Sequence, residues 1–141
     1  MSLSEQLERV LSLPLDYSTA LFLISARGND YMFSFKAKGK DEFSEYSERL
    51  VTQFTSYLEV LYSKGARNFL INNIGPLGCV PYRRENSTKK CDERLNGKVG
   101  LYNSRLEMAL LKFTMKYEEA SLLLADNYEV STQIMSDPSK F

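Results

Sequence analysis

Three short apolar segments alternate with two long helical patterns across 141 residues. They predict an α/β fold with about three parallel strands and flanking helices. Each apolar segment ends in polar residues, and each long pattern repeats its apolar positions at three-four spacing. Right-handed crossovers make the strands neighbours and bring their polar ends to one edge of the sheet. In open parallel sheets, ligands and chemistry sit at that edge.

The first element is a helix from Leu3 to Leu11. Leu3, Leu7, Val10 and Leu11 share a face, Ser2 or Ser4 can cap it, and Leu13-Pro14-Leu15-Asp16 breaks it. The first strand spans Ala20 to Ser25, and its unbroken apolar run reads as buried on both faces. It empties into a turn, Arg27-Gly28-Asn29-Asp30. Two meanings fit that turn. Gly, Asn and Asp are favoured in turns for backbone reasons alone, and the Asn29 amide can donate to a developing negative charge, as an oxyanion hole requires.

A polar connection, Lys36 to Asp41, leads to a helix from about Glu42 to Lys64, with Phe43, Leu50, Val51, Phe54, Leu58 and Leu61 as its core stripe. Gly65 stands where a left-handed C-cap is expected. The second strand, Asn68 to Ile74, runs into Gly75-Pro76-Leu77-Gly78-Cys79-Val80-Pro81, too rich in proline and glycine to continue a strand. Tyr82 to Asp92 reads as polar and exposed, with Arg83, Arg84, Lys89 and Lys90 in a solvated loop rather than a phosphate site. A helix from about Glu93 to Tyr117 buries Leu95, Val99, Tyr102, Leu106, Leu110, Phe113 and Tyr117. Strand patterns on both sides favour one helix on a sheet over a coiled coil. Ser121 to Asp126 is the third strand, and Ser131 is expected to cap a last short helix through Met135, stopped by Asp137-Pro138.

One domain accommodates this pattern. A three-stranded parallel sheet leaves an outer edge on its first strand, which is a pairing liability. Either the first nineteen residues cover that edge, or the chain is part of a larger sheet. Eighteen basic and eighteen acidic side chains cancel, so nothing global points to nucleic acid or an anionic membrane. No apolar run approaches a membrane span. The amino terminus lacks a signal-peptide core, so the sequence as written reads as cytoplasmic.

The chain has no histidine. A Ser-His-Asp triad, a Cys-His dyad and any histidine-containing metal site are therefore excluded within it, and no nucleophile, general base, metal site or cofactor can be assigned. Cys79 and Cys91 flank a polar loop. A disulfide across it contributes about 3 kcal/mol in the chain-entropy model, while two free thiols are the alternative. Asn86-Ser87-Thr88 inside that loop fits the N-glycosylation pattern. Together the two signals suggest a secretory ancestry, which the amino terminus contradicts. Cys79 is a poor nucleophile, since Val80-Pro81 follows it where a helix amino terminus should help the thiolate.

Gly28-Asn29-Asp30-Tyr31 after an apolar strand, Leu61-Tyr62-Ser63-Lys64-Gly65-Ala66-Arg67, and Asn72-Asn73-Ile74-Gly75-Pro76-Leu77-Gly78-Cys79-Val80-Pro81 resemble the middle of plant GDSL-type esterase/lipases, members of the SGNH hydrolase superfamily. Ser2 to Leu7 and Asp137 to Phe141 extend the likeness over nearly the whole chain, with a gap relative to the family around Leu11 to Thr19. The resemblance implies a flavodoxin-like fold and hydrolysis of carboxylic esters, often of lipids, by secreted enzymes. In that family a serine in a Gly-Asp-Ser-Leu block is the nucleophile and an Asp-x-x-His block supplies the acid and base. The oxyanion hole takes the serine N–H, a glycine N–H and the asparagine of a Gly-x-Asn-Asp block.

Of these, only the last has a counterpart here. Asn29 matches the oxyanion asparagine and Asp30 its neighbour, while Arg27 stands where the family usually has glycine. That departure matters because a non-glycine residue tolerates fewer dihedral combinations. Cys79 and Cys91 match positions that the resemblance pairs in a disulfide. The sequence thus reads, over residues 1–141, as a single partial SGNH/GDSL domain, a truncated flavodoxin-like sheet without its serine and histidine blocks. The expected function is a catalytically inactive family member. The alternatives are ester hydrolysis inherited with the family, on an ester or lipid-like small molecule, and an interaction module that pairs with itself or a relative through the exposed edge strand.

Overall fold

The computed structural model describes residues 2–34, 40–84 and 90–140. Its elements are α1 (Leu3–Leu11), β1 (Leu21–Ser25), α2 (Gly28–Ser34), α3 (Lys40–Ser63), β2 (Asn68–Asn72), α4 (Glu93–Lys116), β3 (Ser121–Ala125) and α5 (Asn127–Ser136). The three strands form one parallel sheet in the order β1-β2-β3. The predicted α/β class and three-stranded parallel sheet are what the structure contains.

Local chemistry sets most boundaries. Ser2 and Glu5 form a capping box at the start of α1, each satisfying a backbone N–H of the other's turn. The Asp92 carboxylate accepts the Leu95 N–H to cap α4. After α3, Gly65 adopts a φ of 104° and Ala66 N–H bonds back to Leu61 C=O, ending the helix as expected. The last helix starts earlier than predicted. Asp126, not Ser131, is its cap, accepting the Glu129 N–H.

The expected turn at Gly28-Asn29-Asp30 is also corrected. These residues open the helix α2, which the connection after the first strand was not expected to contain. Composition concealed it: Gly and Asn are poor helix formers, and Tyr31 holds the segment by tertiary burial against Phe43 and Tyr102.

Both crossover helices lie on one face of the sheet. Phe22, Phe69 and Ile71 from that face form one core with Leu58 and Leu61 of α3 and Leu106, Leu110 and Phe113 of α4. The Phe113 ring meets Phe69 edge-on at 5.9 Å and Tyr62 at 6.2 Å. The guanidinium of Arg105 clasps α4 to α3 through the Ser44 carbonyl and hydroxyl.

The expectation of a first strand buried on both faces does not hold. Leu21, Leu23 and Leu123 are 62–65% exposed, and among the described residues no helix covers their side of the sheet. Two right-handed crossovers within one three-stranded run place both crossover helices on the same side, so neither of them reaches the second face. α1 lies against α3 beside the outer edge of β1. Leu3, Leu7 and Val10 face Leu21 to Ile24 across an apolar slot of about 500 Å³, so the edge is flanked but not paired.

Candidate functional site

The polar ends of the three strands converge at one edge, as the sequence predicts. There they line a cleft of about 550 Å³ whose walls include Ser25 to Asp30, Asn73 to Gly75, Asn127, and Ser2 and Gln6 of α1. Asn29 sits on this cleft, exposed, and its amide has no hydrogen-bond partner among the described residues. Gly28 and Asp30 line it beside Asn29.

Arg27 carries the local geometry. Its φ of 78° is the only left-handed value at a non-glycine residue among those described. The side chain compensates. It is 8% exposed, donates from Nη2 to Gln53 Oε1 at 2.8 Å, and lies 3.6 Å from Asp30 Oδ2. Its Nε is buried without a partner. The backbone shape that glycine adopts freely is thus kept in place by a buried cation.

Two variants separate these contributions. Arg27→Gly and Arg27→Ala both lose the guanidinium, but only glycine relieves the positive φ. Arg27→Gly is therefore expected to be more stable than Arg27→Ala by about 1 kcal/mol. Urea denaturation midpoints check this, and equal midpoints would show that the backbone there is unstrained.

Two hydroxyls share the cleft with Asn29. Ser2 Oγ is occupied as the cap of α1, 3.1 Å from Glu5 Oε2 and accepting the Glu5 N–H. The Glu5 carboxyl is held below the usual carboxylate range, first by its hydrogen bond from the Ser2 backbone N–H and then by the Ser2 hydroxyl. A carboxylate made less basic is poorly suited to take a proton from serine. Ser25, at the end of β1, has no hydrogen-bonded base among the described residues.

Beneath the cleft, Tyr31, Ser47 and Tyr102 are buried. Burial raises the Tyr31 phenol to about 12, a rise that the facing Ser47 hydroxyl only partly offsets, and burial pushes Tyr102 up as well. Neither the Tyr31 nor the Ser47 hydroxyl makes a hydrogen bond of normal geometry. Neutral phenols of this kind are packing groups rather than bases at neutral pH.

The loop after β2 forms the far wall and is held by three asparagines that the sequence reading did not single out. Asn73 Nδ2 donates to Asp126 Oδ1 at 2.8 Å, and Asn73 Oδ1 accepts the Tyr128 N–H. Asn103 brackets Ile74, accepting its N–H and donating to its carbonyl. Asn96 Oδ1 accepts the Gly78 N–H, and its amide N–H lies 3.4 Å from Cys79 Sγ. A signal was present. Asn96 and Asn103 stand one heptad apart beside the apolar stripe of α4, where asparagine lowers helix propensity and is retained for its amide.

Cys79 and Cys91 are joined by a disulfide, with Cα atoms 4.4 Å apart. Two members of the basic cluster depart from the solvated loop expected, while Lys90 is exposed as expected. Arg83 donates to Met32 C=O and Arg84 to Cys79 C=O, so both arginines tie the loop down. Lys89 and the sequon residue Asn86 lie outside the described residues.

The Asn73 to Asp126 bond has a pH signature. The Asp126 carboxyl is held below the usual carboxylate range, chiefly by the Asn73 amide and then by the Glu129 N–H. A carboxyl lowered in the folded state contributes stability above its unfolded pKa of about 4, and loses it as pH falls through the folded value. Asn73→Ala is therefore expected to cost about 1.5 kcal/mol at pH 7. That deficit shrinks below about pH 4 without vanishing, because the Tyr128 contact is lost at every pH. Urea titrations of both proteins across this range check it, and a deficit constant with pH would count against the assignment.

The chain matches the model of the GDSL-like lipase/acylhydrolase family over residues 2–140. It belongs to that family. A GDSL esterase/lipase of Arabidopsis thaliana is 29% identical over 134 residues, covering 88% of this chain and 37% of the relative. A second from the same plant is 30% identical over 128 residues, covering 86% and 36%. The anther-specific proline-rich protein APG of Arabidopsis thaliana is 26% identical over 128 residues, covering 88% of this chain and 24% of the relative. The GDSL-family chain thus spans little more than a third of the length of these curated relatives, or less.

Proposed function

We propose that these 141 residues are a catalytically silent member of the GDSL family, keeping the oxyanion side of an ester-hydrolase site without its nucleophile or base. The observation that carries this reading is the cleft itself. The Asn29 amide stands there unpartnered, beside one serine committed to a helix cap and another without a base, in a chain with no histidine. An oxyanion donor lowers a barrier only when attack creates the anion, and no described group can make that attack.

The purified chain is expected to hydrolyse p-nitrophenyl acetate and p-nitrophenyl butyrate at the buffer rate, with no change on Asn29→Ala. Turnover at least about tenfold above buffer, lost in Asn29→Ala, would instead establish the family's carboxylic-ester hydrolysis in this chain. The free amide on an open cleft is what favours that second reading.

A further inference from the structure

Cys79 ends the loop after β2 and Cys91 precedes the Asp92 cap of α4, so their bond joins the two ends of a basic segment. Both cysteines line an open pocket of about 370 Å³ that shares no residue with the Asn29 cleft. Disulfides that solvent can reach are the ones that exchange with thiols. The two residues differ in access, since Cys79 is 9% exposed and Cys91 is half-buried. Arg84 and Lys90 bring two cations to the pocket wall against the single carboxylate of Glu93, in a chain whose charges cancel overall. Asn96 lies against the inner sulfur. Its Oδ1 accepts the Gly78 N–H, which turns the amide Nδ2 towards Cys79 Sγ at 3.4 Å.

We propose that this pocket is a thiol–disulfide exchange site for a small thiol that also carries a carboxylate. A thiolate in the pocket attacks Sγ of Cys91, because exchange depends on which sulfur can be reached and on how well the other one leaves. A bond forms between the incoming sulfur and Cys91, the bond to Cys79 breaks, and its electron pair leaves on Cys79 as a thiolate. The Asn96 N–H already stands where that anion forms. A second thiolate of the same kind attacks the mixed disulfide, releasing the Cys91 thiolate and the oxidised thiol dimer, and solvent supplies the two protons. The excess of cations on the wall favours an anionic reactant over a neutral or cationic one.

Opening this bond has a consequence at the other site. The loop it closes is tied to α2 by Arg83, which donates to Met32 C=O, and to α5 by Arg84, whose Nη2 lies 3.5 Å from Met135 Sδ. Asn29 stands at the opposite end of α2 from Met32. Reduction therefore loosens a tie on the helix that presents the Asn29 amide. The exchange site itself does not depend on whether the Asn29 cleft is silent.

Three thiols of similar size test this on the whole disulfide-bonded chain: 3-mercaptopropionate, 2-mercaptoethanol and cysteamine, which are anionic, neutral and cationic. Acid quenching, alkylation and mass spectrometry follow the mixed disulfide, which is expected on Cys91 with Cys79 alkylated. Rates per thiolate are expected to fall in the order anionic, neutral, cationic, by at least about threefold at each step. Lys90→Ala, at an exposed position, is expected to remove most of that preference. Should that variant fail to fold, loss of the preference in about 1 M salt takes its place. Reduction is also expected to quicken hydrogen exchange in α2 more than in β2, and Arg83→Ala to abolish that excess. An adduct on Cys79, equal rates for the three thiols, a preference indifferent to Lys90→Ala and to salt, or reaction only where urea unfolds the chain would each overturn the exchange site. Equal quickening in α2 and β2 would overturn its link to the Asn29 helix.

Discussion

Gly78→Ala is expected to destabilise the protein by about 3 kcal/mol and lower its Tm by roughly 10 °C. Gly78 lies buried against the start of α4, and a Cβ there would come 2.1 Å from the Asp92 carbonyl oxygen, 2.7 Å from Asn96 Oδ1 and 2.9 Å from Asn96 Cγ. A flexible side chain could yield, but a carbonyl oxygen cannot. The same segment binds itself to α4 from both ends, with Gly78 N–H donating to Asn96 and Asp92 N–H donating to Gly78 C=O, both at 2.8 Å. Moving the loop away to admit a methyl group breaks both bonds together. Gly97 and Gly100 in α4 provide the opposite control, since nothing lies within 4 Å of a Cβ at either. Gly97→Ala is expected to stabilise by about 0.5–1 kcal/mol, because a helix interior prefers alanine. Thermal melts of the two variants should shift in opposite directions, and a neutral Gly78→Ala would mean that the loop is not seated on α4.

Replacing both Cys79 and Cys91 with serine is expected to cost about 3 kcal/mol, the entropy of a loop closed over 12 residues. Reduction of the unaltered chain should lower the urea midpoint by a similar amount and leave the double variant unaffected. Thiol titration of the unfolded, unreduced chain should find no free thiol, and two free thiols would refute the cross-link. This loss and that of Gly78→Ala should not add. Both act on the segment between β2 and α4, and residues that share a loop couple.

Legibility of the fold followed the range of the forces involved. The apolar stripe of α3, the stripe of α4 and the three strands were readable because periodicity records which side of an element faces a core. Gly65 was readable because its left-handed cap is a local requirement. The helix α2 was not, because Gly28 and Asn29 favour a turn and only the seat of Tyr31 between Phe43 and Tyr102 draws the segment into a helix. The start of α5 moved from Ser131 to Asp126 for a related reason, since Asn73 fixes the Asp126 carboxylate where it can also cap. Two-sided strand burial was inferred from apolar composition. Handedness of the crossovers already argued for one covered side.

The place of Asn29 on the cleft was legible from its motif and its position after an apolar strand. The asparagine clamp of Asn73, Asn96 and Asn103 was not, since a partner lying 29 positions away, as Ile74 does from Asn103, leaves no trace in local pattern. Arg27 was recognised as a departure from glycine, but its compensation was hidden. The acceptor on Gln53 lies 26 residues on, across the α2 to α3 connection.

The sequence by itself determined the α/β class, the order and parallel sense of the strands, the family, and the absence of a histidine base. The class and strand order rest on periodicity and chain handedness, the missing base on composition, and the family on the resemblance of its motifs, all of which belong to the chain before it folds. Tertiary structure decided which sheet face is covered, how a strained Arg27 backbone is held, and which asparagines fix the cleft wall. Those outcomes depend on pairs of groups far apart in sequence, whose hydrogen bonds and burial exist only once the two crossover helices have packed on the same side of the sheet.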